Sequence, residues 1–123
     1  MITLKDLNPR EHDLSDIQLI NLVNLCTAMQ EVEKEYGKEL IITSGYRTPE
    51  EQKIINPKAS KSSHIECLAC DIADVDKSLW KWCCNNLDFL AELGLYLEDG
   101  TATKTHQHFQ LKAPASGRRI FLP

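Results

Sequence analysis

A run of apolar residues at helical spacing dominates the first third of the chain. Between Leu14 and Tyr36 these residues recur in steps of three and four, at Leu22, Leu25, Met29, Val32 and Tyr36. Asp13 or Ser15 can serve as the N-cap, and Gly37 directly follows the last periodic residue. The pattern therefore predicts one long amphipathic helix that ends at Gly37.

The remaining patterns are shorter and alternate between strand and helix. Leu40 to Thr43 predicts a strand, Thr48-Pro49 opens a short helix, and the polar stretch 56–63 predicts an exposed loop. Further elements are expected as follows: a strand in "LACDIA", a helix from about Lys77 to Leu93 closed by Gly94 as a left-handed cap, strands in "LYLED" and "HQHFQLK" around a turn at Asp99-Gly100, and an edge strand in "SGRRIFLP". With no repeat and no glycine-rich phosphate loop, the class is α+β or mixed α/β.

Length and composition indicate one ordinary globular domain spanning residues 1–123. Hydrophobic residues make up 42% and charged residues 26%, and the formal net charge of -4 gives no basic surface for nucleic acid. The start "MITLKDLNPREHD" lacks the features of a signal peptide, and no apolar stretch approaches a membrane span. We therefore expect a chain that is cytoplasmic as synthesised, with no nucleic-acid partner and no membrane insertion.

Five cysteines form a poor disulfide framework, because their number is odd and Cys83 and Cys84 are adjacent. We expect reduced thiols, with Cys26, Cys70 and Cys83 as small core residues. The alternative is a thiolate zinc or redox site built on Cys67-x-x-Cys70.

The stretch "SKSSHIECLACDIAD" and the later "HQHFQ" hold the residues for a different metal site. Catalytic zinc usually has three protein ligands from His, Asp, Glu or Cys and an open fourth position. His64, Asp71 and His108 can supply such a set, and His106 shares one face of the same strand with His108.

Three segments in this order, "SGYRTPEEQ", "SSHIECLACDI" and "HQHFQ", resemble the zinc D-Ala-D-Ala carboxypeptidases and D,D-dipeptidases. This family includes phage peptidoglycan endopeptidases and shares its fold with the hedgehog signalling domain. Ser62, His64, Ala69 and Asp71 match the family pattern in register. The resemblance implies an α+β fold with a small antiparallel sheet flanked by helices, and Zn²⁺ held by His64, Asp71 and His108.

The resemblance also assigns the catalytic residues. Arg47 of "SGYR" stabilises the oxyanion or grips the substrate carboxylate, and Tyr46 and Ser62 contribute to substrate binding. The family glycine is Cys67 here, and the general base three residues before the last histidine is replaced by Thr105, which cannot take a proton from water. We rank three replacements for the base in the order Glu98, His106, Asp99.

These assignments predict a zinc metallopeptidase that hydrolyses peptide bonds in bacterial cell-wall peptides, of the D-Ala-D-Ala carboxypeptidase or endopeptidase type. Its partner is then a peptidoglycan peptide, and a phage source would place the protein at the cell wall or in the virion. The other hypothesis on the same fold is a catalytically silent, zinc-containing module that binds peptidoglycan or a protein, having lost its base at Thr105. Oligomeric state and the bond cleaved stay open.

Overall fold

A computed structural model describes residues 1–58 and 62–123. Residues 59–61, in the middle of the polar loop predicted for 56–63, lie outside the described residues. The helices in these ranges are α1 (Leu4–Leu7), α2 (Asp16–Tyr36), α3 (Pro49–Ile55), α4 (Ser78–Cys84) and α5 (Leu87–Glu92). The strands are β1 (Ile42–Ser44), β2 (Ala69–Ala73), β3 (Tyr96–Glu98), β4 (His106–Gln110) and β5 (Ile120–Phe121).

The ends of α2 and α3 follow from local capping chemistry. Ser15 and Gln18 form a reciprocal capping box at the start of α2, and Gly37 ends it in the left-handed conformation with φ of 77°. Thr48 accepts a hydrogen bond from the Glu51 N–H, with Pro49 at the first helical position of α3. Both helices confirm the sequence prediction.

The five strands form one mixed sheet in the order β1-β2-β4-β3-β5 among the described residues. The pairs β1–β2, β2–β4 and β3–β4 are antiparallel, whereas β5 pairs with β3 in parallel. The α+β class is confirmed, and the expected antiparallel sheet holds except at this edge strand. Register places Asp71 of β2 directly opposite His108 of β4, in the middle of the sheet.

The sheet has one apolar face and one polar face, as strand alternation requires. The apolar face contributes Cys70, Ile72, Leu97 and Phe109 to a single core cluster that also contains the buried side chains of α2. Ser44, Asp71, His106, His108 and Glu98 lie on the opposite face, which we call the site face. Helix α2 therefore packs against the apolar face of the sheet, and the polar side chains lie together on the site face.

The helix predicted for residues 77–93 is wrong, because the chain forms two helices with a break at Asn85 and Asn86. Their side-chain amides donate to the carbonyls of Lys81 and Trp82, which ends α4. Asparagine competes in this way with helix backbone hydrogen bonds, although the apolar spacing continues across the break. Gly94 does close α5 with a left-handed φ of 77°.

In the part of the chain that the structure describes, no helix is both long enough and apolar enough to cross a membrane.

Candidate metal centre

Three side chains from three segments converge on the site face. His64 lies in the turn 62–68, Asp71 in β2 and His108 in β4, and one potential ligand atom from each falls within 4.8 Å of the other two. All three residues are buried, with His64 3%, Asp71 6% and His108 9% exposed. Buried polar groups of this kind need partners, and here they provide them for one another.

Asp71 lies at the centre of the cluster. Its Oδ1 is 2.9 Å from His108 Nδ1, and its Oδ2 is 3.5 Å from His64 Nε2. The register of β2 and β4 accounts for the contact between Asp71 and His108, because residues opposite each other in an antiparallel pair project to the same side. The turn 62–68 places His64 over β2, where it contacts Asp71.

The outer nitrogen of each histidine is held by an acceptor. His64 Nδ1 donates to the Gly45 carbonyl at 2.8 Å, and His108 Nε2 donates to Gln110 Oε1 at 2.8 Å. The Gln110 amide donates in turn to the Lys112 carbonyl, which fixes Oε1 as its acceptor end. With these outer nitrogens donating, the nitrogens that face Asp71, His64 Nε2 and His108 Nδ1, are the ones that would bind a metal by releasing the protons they share with Asp71.

This donor set fits a zinc ion. Two imidazole nitrogens and one carboxylate oxygen are zinc ligands, and three protein ligands leave the open position of a catalytic site. The hydrogen bonds from the histidines to Gly45 and Gln110 are the outer contacts that usually orient such ligands. The structure therefore brings together the three residues that the sequence proposes as ligands.

Helix α2 anchors the turn that carries His64. Gln18 Nε2 donates to the Ile65 carbonyl and Asn21 Nδ2 to the Glu66 carbonyl, each at 3.0 Å. Ser62, proposed from sequence as a substrate contact, accepts a hydrogen bond from the His64 N–H at 3.2 Å. Its hydroxyl thus shapes the turn.

Cys67 ends the turn in a left-handed conformation, with φ of 61° and no exposed surface. This conformation explains why the family pattern has glycine at this position, since a side chain there costs roughly 1 kcal/mol. The cysteine is accommodated because its side chain packs in the core cluster.

Arg47 connects β1 and α3 to the cluster. Its Nε donates to Ser44 Oγ at 3.0 Å and its Nη2 to Asp71 Oδ2 at 3.2 Å. Nη1 donates at 3.1 Å to Gln52 Oε1, and Gln52 is only 2% exposed. The guanidinium is therefore held in a fixed orientation beside the Asp71 carboxylate.

The charges of the cluster stabilise one another. Burial alone would raise the pKa of Asp71, yet hydrogen bonds from His108 and His64 hold it well below its usual range. Burial alone would lower the pKa of His108, but its hydrogen bond to Asp71 and the charge of that carboxylate raise it above the ordinary value. Burial lowers the pKa of Arg47 against the opposing charge of Asp71. Asp71 is thus an anion surrounded by donors.

The candidate bases lie at different distances from the cluster. Glu98 is on the site face, in the strand next to His108, and its charge contributes to the raised pKa of that histidine. His106 Nε2 is 3.9 Å from Asp71 Oδ1, and its side chain is 34% exposed. The Asp99 carboxylate instead accepts hydrogen bonds from the N–H and hydroxyl of Thr101. Glu98 and His106 remain available, whereas Asp99 is engaged in its own turn.

Two other predicted residues take part in local packing. Thr105 is exposed, and its carbonyl accepts from the Asp74 N–H. Tyr46 donates its N–H to the Leu7 carbonyl at 2.8 Å, and its ring meets His12 edge-on at 5.8 Å. These contacts leave the substrate role of Tyr46 as a prediction.

The cysteines form no metal site among the residues that the structure describes, where the three-residue cluster above contains none of them. Cys26, Cys70 and Cys83 are buried core residues, as predicted, whereas Cys84 is exposed. Burial raises the pKa of Cys67 to about 11 and that of Cys70 well above its ordinary value. Without a metal, both thiols are therefore protonated at neutral pH.

Sequence reasoning missed the residues that hold the candidate ligands and Arg47 in place. Gly45, Gln52 and Gln110 all lie inside quoted motifs, "SGYRTPEEQ" and "HQHFQ". Gln110 shares the strand face of His108 by simple alternation, which could have identified it. The amides of Gln18 and Asn21 carry no such signal, because their contacts span more than 40 residues of sequence.

Comparison with known proteins adds one finding. A family model described as Peptidase M15 matches residues 4–98, which include Arg47, His64 and Asp71 and end at Glu98. His106 and His108 lie beyond the matched range. No curated protein and no solved structure matches the chain.

Proposed function

Because the chain belongs to the M15 peptidase family, we propose that it is a zinc-dependent metallopeptidase that hydrolyses peptide bonds in bacterial cell-wall peptides, of the D-Ala-D-Ala carboxypeptidase or endopeptidase type. One observation carries this proposal: His64, Asp71 and His108 place two imidazole nitrogens and a carboxylate oxygen within 4.8 Å of one another. The cell-wall substrate is supported by the resemblance of the three motifs "SGYRTPEEQ", "SSHIECLACDI" and "HQHFQ".

His64 Nε2, Asp71 and His108 Nδ1 would hold the ion. When bound, zinc supplies a Lewis acid that polarises the scissile carbonyl and makes water acidic near neutral pH. The protein's part is to orient the two histidines, because the Gly45 carbonyl and Gln110 hold their outer nitrogens and turn the other nitrogen of each ring toward the ion. Asp71 keeps its negative charge because Arg47 and both histidines surround it.

Arg47 is the residue that stabilises the developing oxyanion. Three of its five N–H groups are used by Ser44, Gln52 and Asp71. One N–H on each terminal nitrogen has no partner among the described residues. These two donors have a fixed position, because the other three N–H groups hold the guanidinium in place. A donor fixed before reaction is worth more than one that must reorganise.

Glu98 is the general base, and this gives the first prediction. It takes the proton from the attacking water and delivers it to the leaving nitrogen. Glu98→Gln is expected to lower kcat by about 10²- to 10⁴-fold, with KM and zinc content little changed, because the amide cannot accept the proton. Steady-state hydrolysis of a synthetic stem peptide, followed by chromatography of the released fragments, measures the effect.

Glu92→Gln is the matched control, since Glu92 is an exposed carboxylate at the end of α5. A parallel His106→Gln variant separates the two bases: if it loses kcat and Glu98→Gln does not, the imidazole takes the proton. Tight binding of the stem peptide by zinc-loaded wild type without turnover would favour the silent binding module, which the loss of the base at Thr105 supports.

The second prediction tests the metal itself. Protein purified without added metal is expected to contain about one zinc per chain by elemental analysis, and His108→Ala to contain almost none. Cys67→Ala combined with Cys70→Ala should keep the zinc, because neither thiol lies in the ligand cluster. Alanine retains a small apolar side chain at both buried positions, and circular dichroism checks that each variant is folded. Zinc lost with the cysteines and kept in His108→Ala would overturn the assignment.

A further inference from the structure

An open groove of about 600 Å³ borders the edge strand β5. We call it the β5 groove; its lining residues are Asp99, Pro114, Ala115, Ser116, Arg118, Ile120, Phe121 and Leu122. Apart from two charged side chains and one serine, the lining is apolar. The groove is therefore suited to an uncharged side chain beside a charged group.

The groove borders the candidate metal centre through Phe121, which is one of its lining residues. The Phe121 ring meets the His108 ring edge-on, with centroids 6.0 Å apart. Parallel pairing also places Phe121 level with Glu98, the proposed base. A peptide whose scissile bond lies at the metal centre therefore has the β5 groove within reach of the adjoining residue.

Arg118 provides the positive charge of this groove. Its side chain is exposed and, within residues 1–58 and 62–123, it has no carboxylate within salt-bridge distance. Arg47, in contrast, is already paired with Asp71 and is 14% exposed at its side chain. A carboxylate on the substrate consequently finds a free guanidinium at Arg118 and a neutralised one at Arg47.

Asp99 limits which ligands fit. Its carboxylate accepts two hydrogen bonds from Thr101, which lower its pKa and keep it ionised. An anion on the same lining disfavours an acidic side chain in the groove, while Arg118 favours a main-chain carboxylate. The combination favours a terminal residue with a neutral side chain.

We propose that the β5 groove binds the C-terminal residue of a peptide substrate, with Arg118 pairing its α-carboxylate and Ile120 and Phe121 contacting its side chain. The proposal rests on the proposed function and makes it more specific, since it describes a carboxypeptidase. In that reaction the C–N bond of the last peptide linkage breaks, water adds its hydroxyl to the acyl carbon and its remaining proton goes through Glu98 to the leaving nitrogen, and the last residue leaves as a free amino acid.

Binding is measured first, on the metal-free full chain, so that hydrolysis plays no part. The probes are N-acetyl-D-alanyl-D-alanine and the same dipeptide as its C-terminal carboxamide. Titration into ¹⁵N-labelled protein is expected to shift the amide signals of Ser116, Gly117 and Phe121 with the acid and much less with the amide. Arg118→Gln should weaken acid binding about tenfold, as loss of a charge-assisted contact implies, and leave the amide unchanged.

Lys34→Gln removes the same charge from the exposed end of α2 and should change neither titration. Arg118→Lys should keep part of the acid preference, because the charge remains and only the bidentate geometry is lost. With zinc-loaded enzyme, Arg118→Gln should raise KM for the acid about tenfold while kcat falls little.

The outcomes separate this inference from the proposed function. Equal binding and hydrolysis of acid and amide by wild type would overturn the groove assignment and leave the peptidase intact. Absence of hydrolysis with zinc loaded, together with selective binding of the acid at these amides, would overturn the peptidase and support the groove in a binding module. An Arg118→Gln loss that is the same for acid and amide would also contradict the carboxylate pairing.

Discussion

Asp71→Asn is expected to abolish both zinc binding and peptidase activity. Asp71 supplies the only carboxylate of the ligand cluster and contacts both histidines. An asparagine oxygen is neutral, a poorer zinc ligand, and its amide can place an N–H toward His108 Nδ1 or His64 Nε2. Zinc content should fall from about one per chain to near zero, and kcat/KM to the background of the assay.

The same substitution is expected to destabilise the metal-free protein. Arg47 is 14% exposed at its side chain and has Asp71 as its carboxylate partner. Removing one member of a buried ion pair leaves an uncompensated charge and typically costs about 3 kcal/mol. Urea unfolding of the metal-free protein at neutral pH measures this, with Asp13→Asn as a control at an exposed carboxylate that should change stability by less than about 0.5 kcal/mol.

The pH dependence of the metal-free protein provides a second readout. The pKa of Asp71 is lowered by folding, so its contribution is present above its unfolded pKa of about 4 and is lost as the pH falls through the folded value. The pKa of His108 is raised, so its contribution is complete below about pH 6.5 and is lost as the pH rises through the folded value. In Asp71→Asn, the free energy of unfolding should therefore change less with pH, both below about pH 4 and above about pH 6.5. An unchanged pH profile would show that the pair does not form in solution.

Much of the candidate site could be predicted because its ligands lie on elements with clear local signals. Alternation placed Asp71 and His108 on strands, and two antiparallel neighbours bring such residues together once the register is known. The register between β2 and β4 cannot be predicted from the sequence of either strand alone. It follows from the long-range packing of both strands on the core cluster, which a single sequence does not reveal.

The elements that were missed are those whose cause is not local periodicity. The four-residue helix α1 is too short to carry an apolar period, although Thr3 and Asp6 form a capping box around it. The break at Asn85-Asn86 was hidden because Leu79, Cys83, Leu87 and Leu90 keep helical spacing across it. Side-chain amides that end a helix are visible in the sequence only when polar residues are weighed against the apolar pattern.

Gly45→Ala is expected to cause the largest loss of stability from the smallest change of side chain. A Cβ at this position would lie 2.2 Å from the Leu7 carbonyl oxygen and 2.8 Å from the Leu7 carbonyl carbon. Leu7 is fully buried, and its carbonyl accepts the Tyr46 N–H at 2.8 Å, so neither backbone can yield without breaking that bond. Overpacking against backbone together with a lost buried hydrogen bond predicts a loss of about 2 to 4 kcal/mol in the free energy of unfolding.

The consequence should reach the metal, because the Gly45 carbonyl orients His64. Displacing this carbonyl releases His64 Nδ1, and losses of this kind of outer contact weaken zinc binding about 10- to 100-fold.

Gly37→Ala is the matched control: Gly37 has a φ of +77°, but a methyl group added there would meet nothing within 4 Å. This control should therefore cost about 1 kcal/mol and leave zinc affinity unchanged. Thermal unfolding compares the stability of the two variants, and a zinc competition titration compares their zinc affinity. If Gly45→Ala is no less stable than Gly37→Ala and binds zinc as tightly as wild type, then contact between α1 and the "SGYR" loop does not support the metal centre.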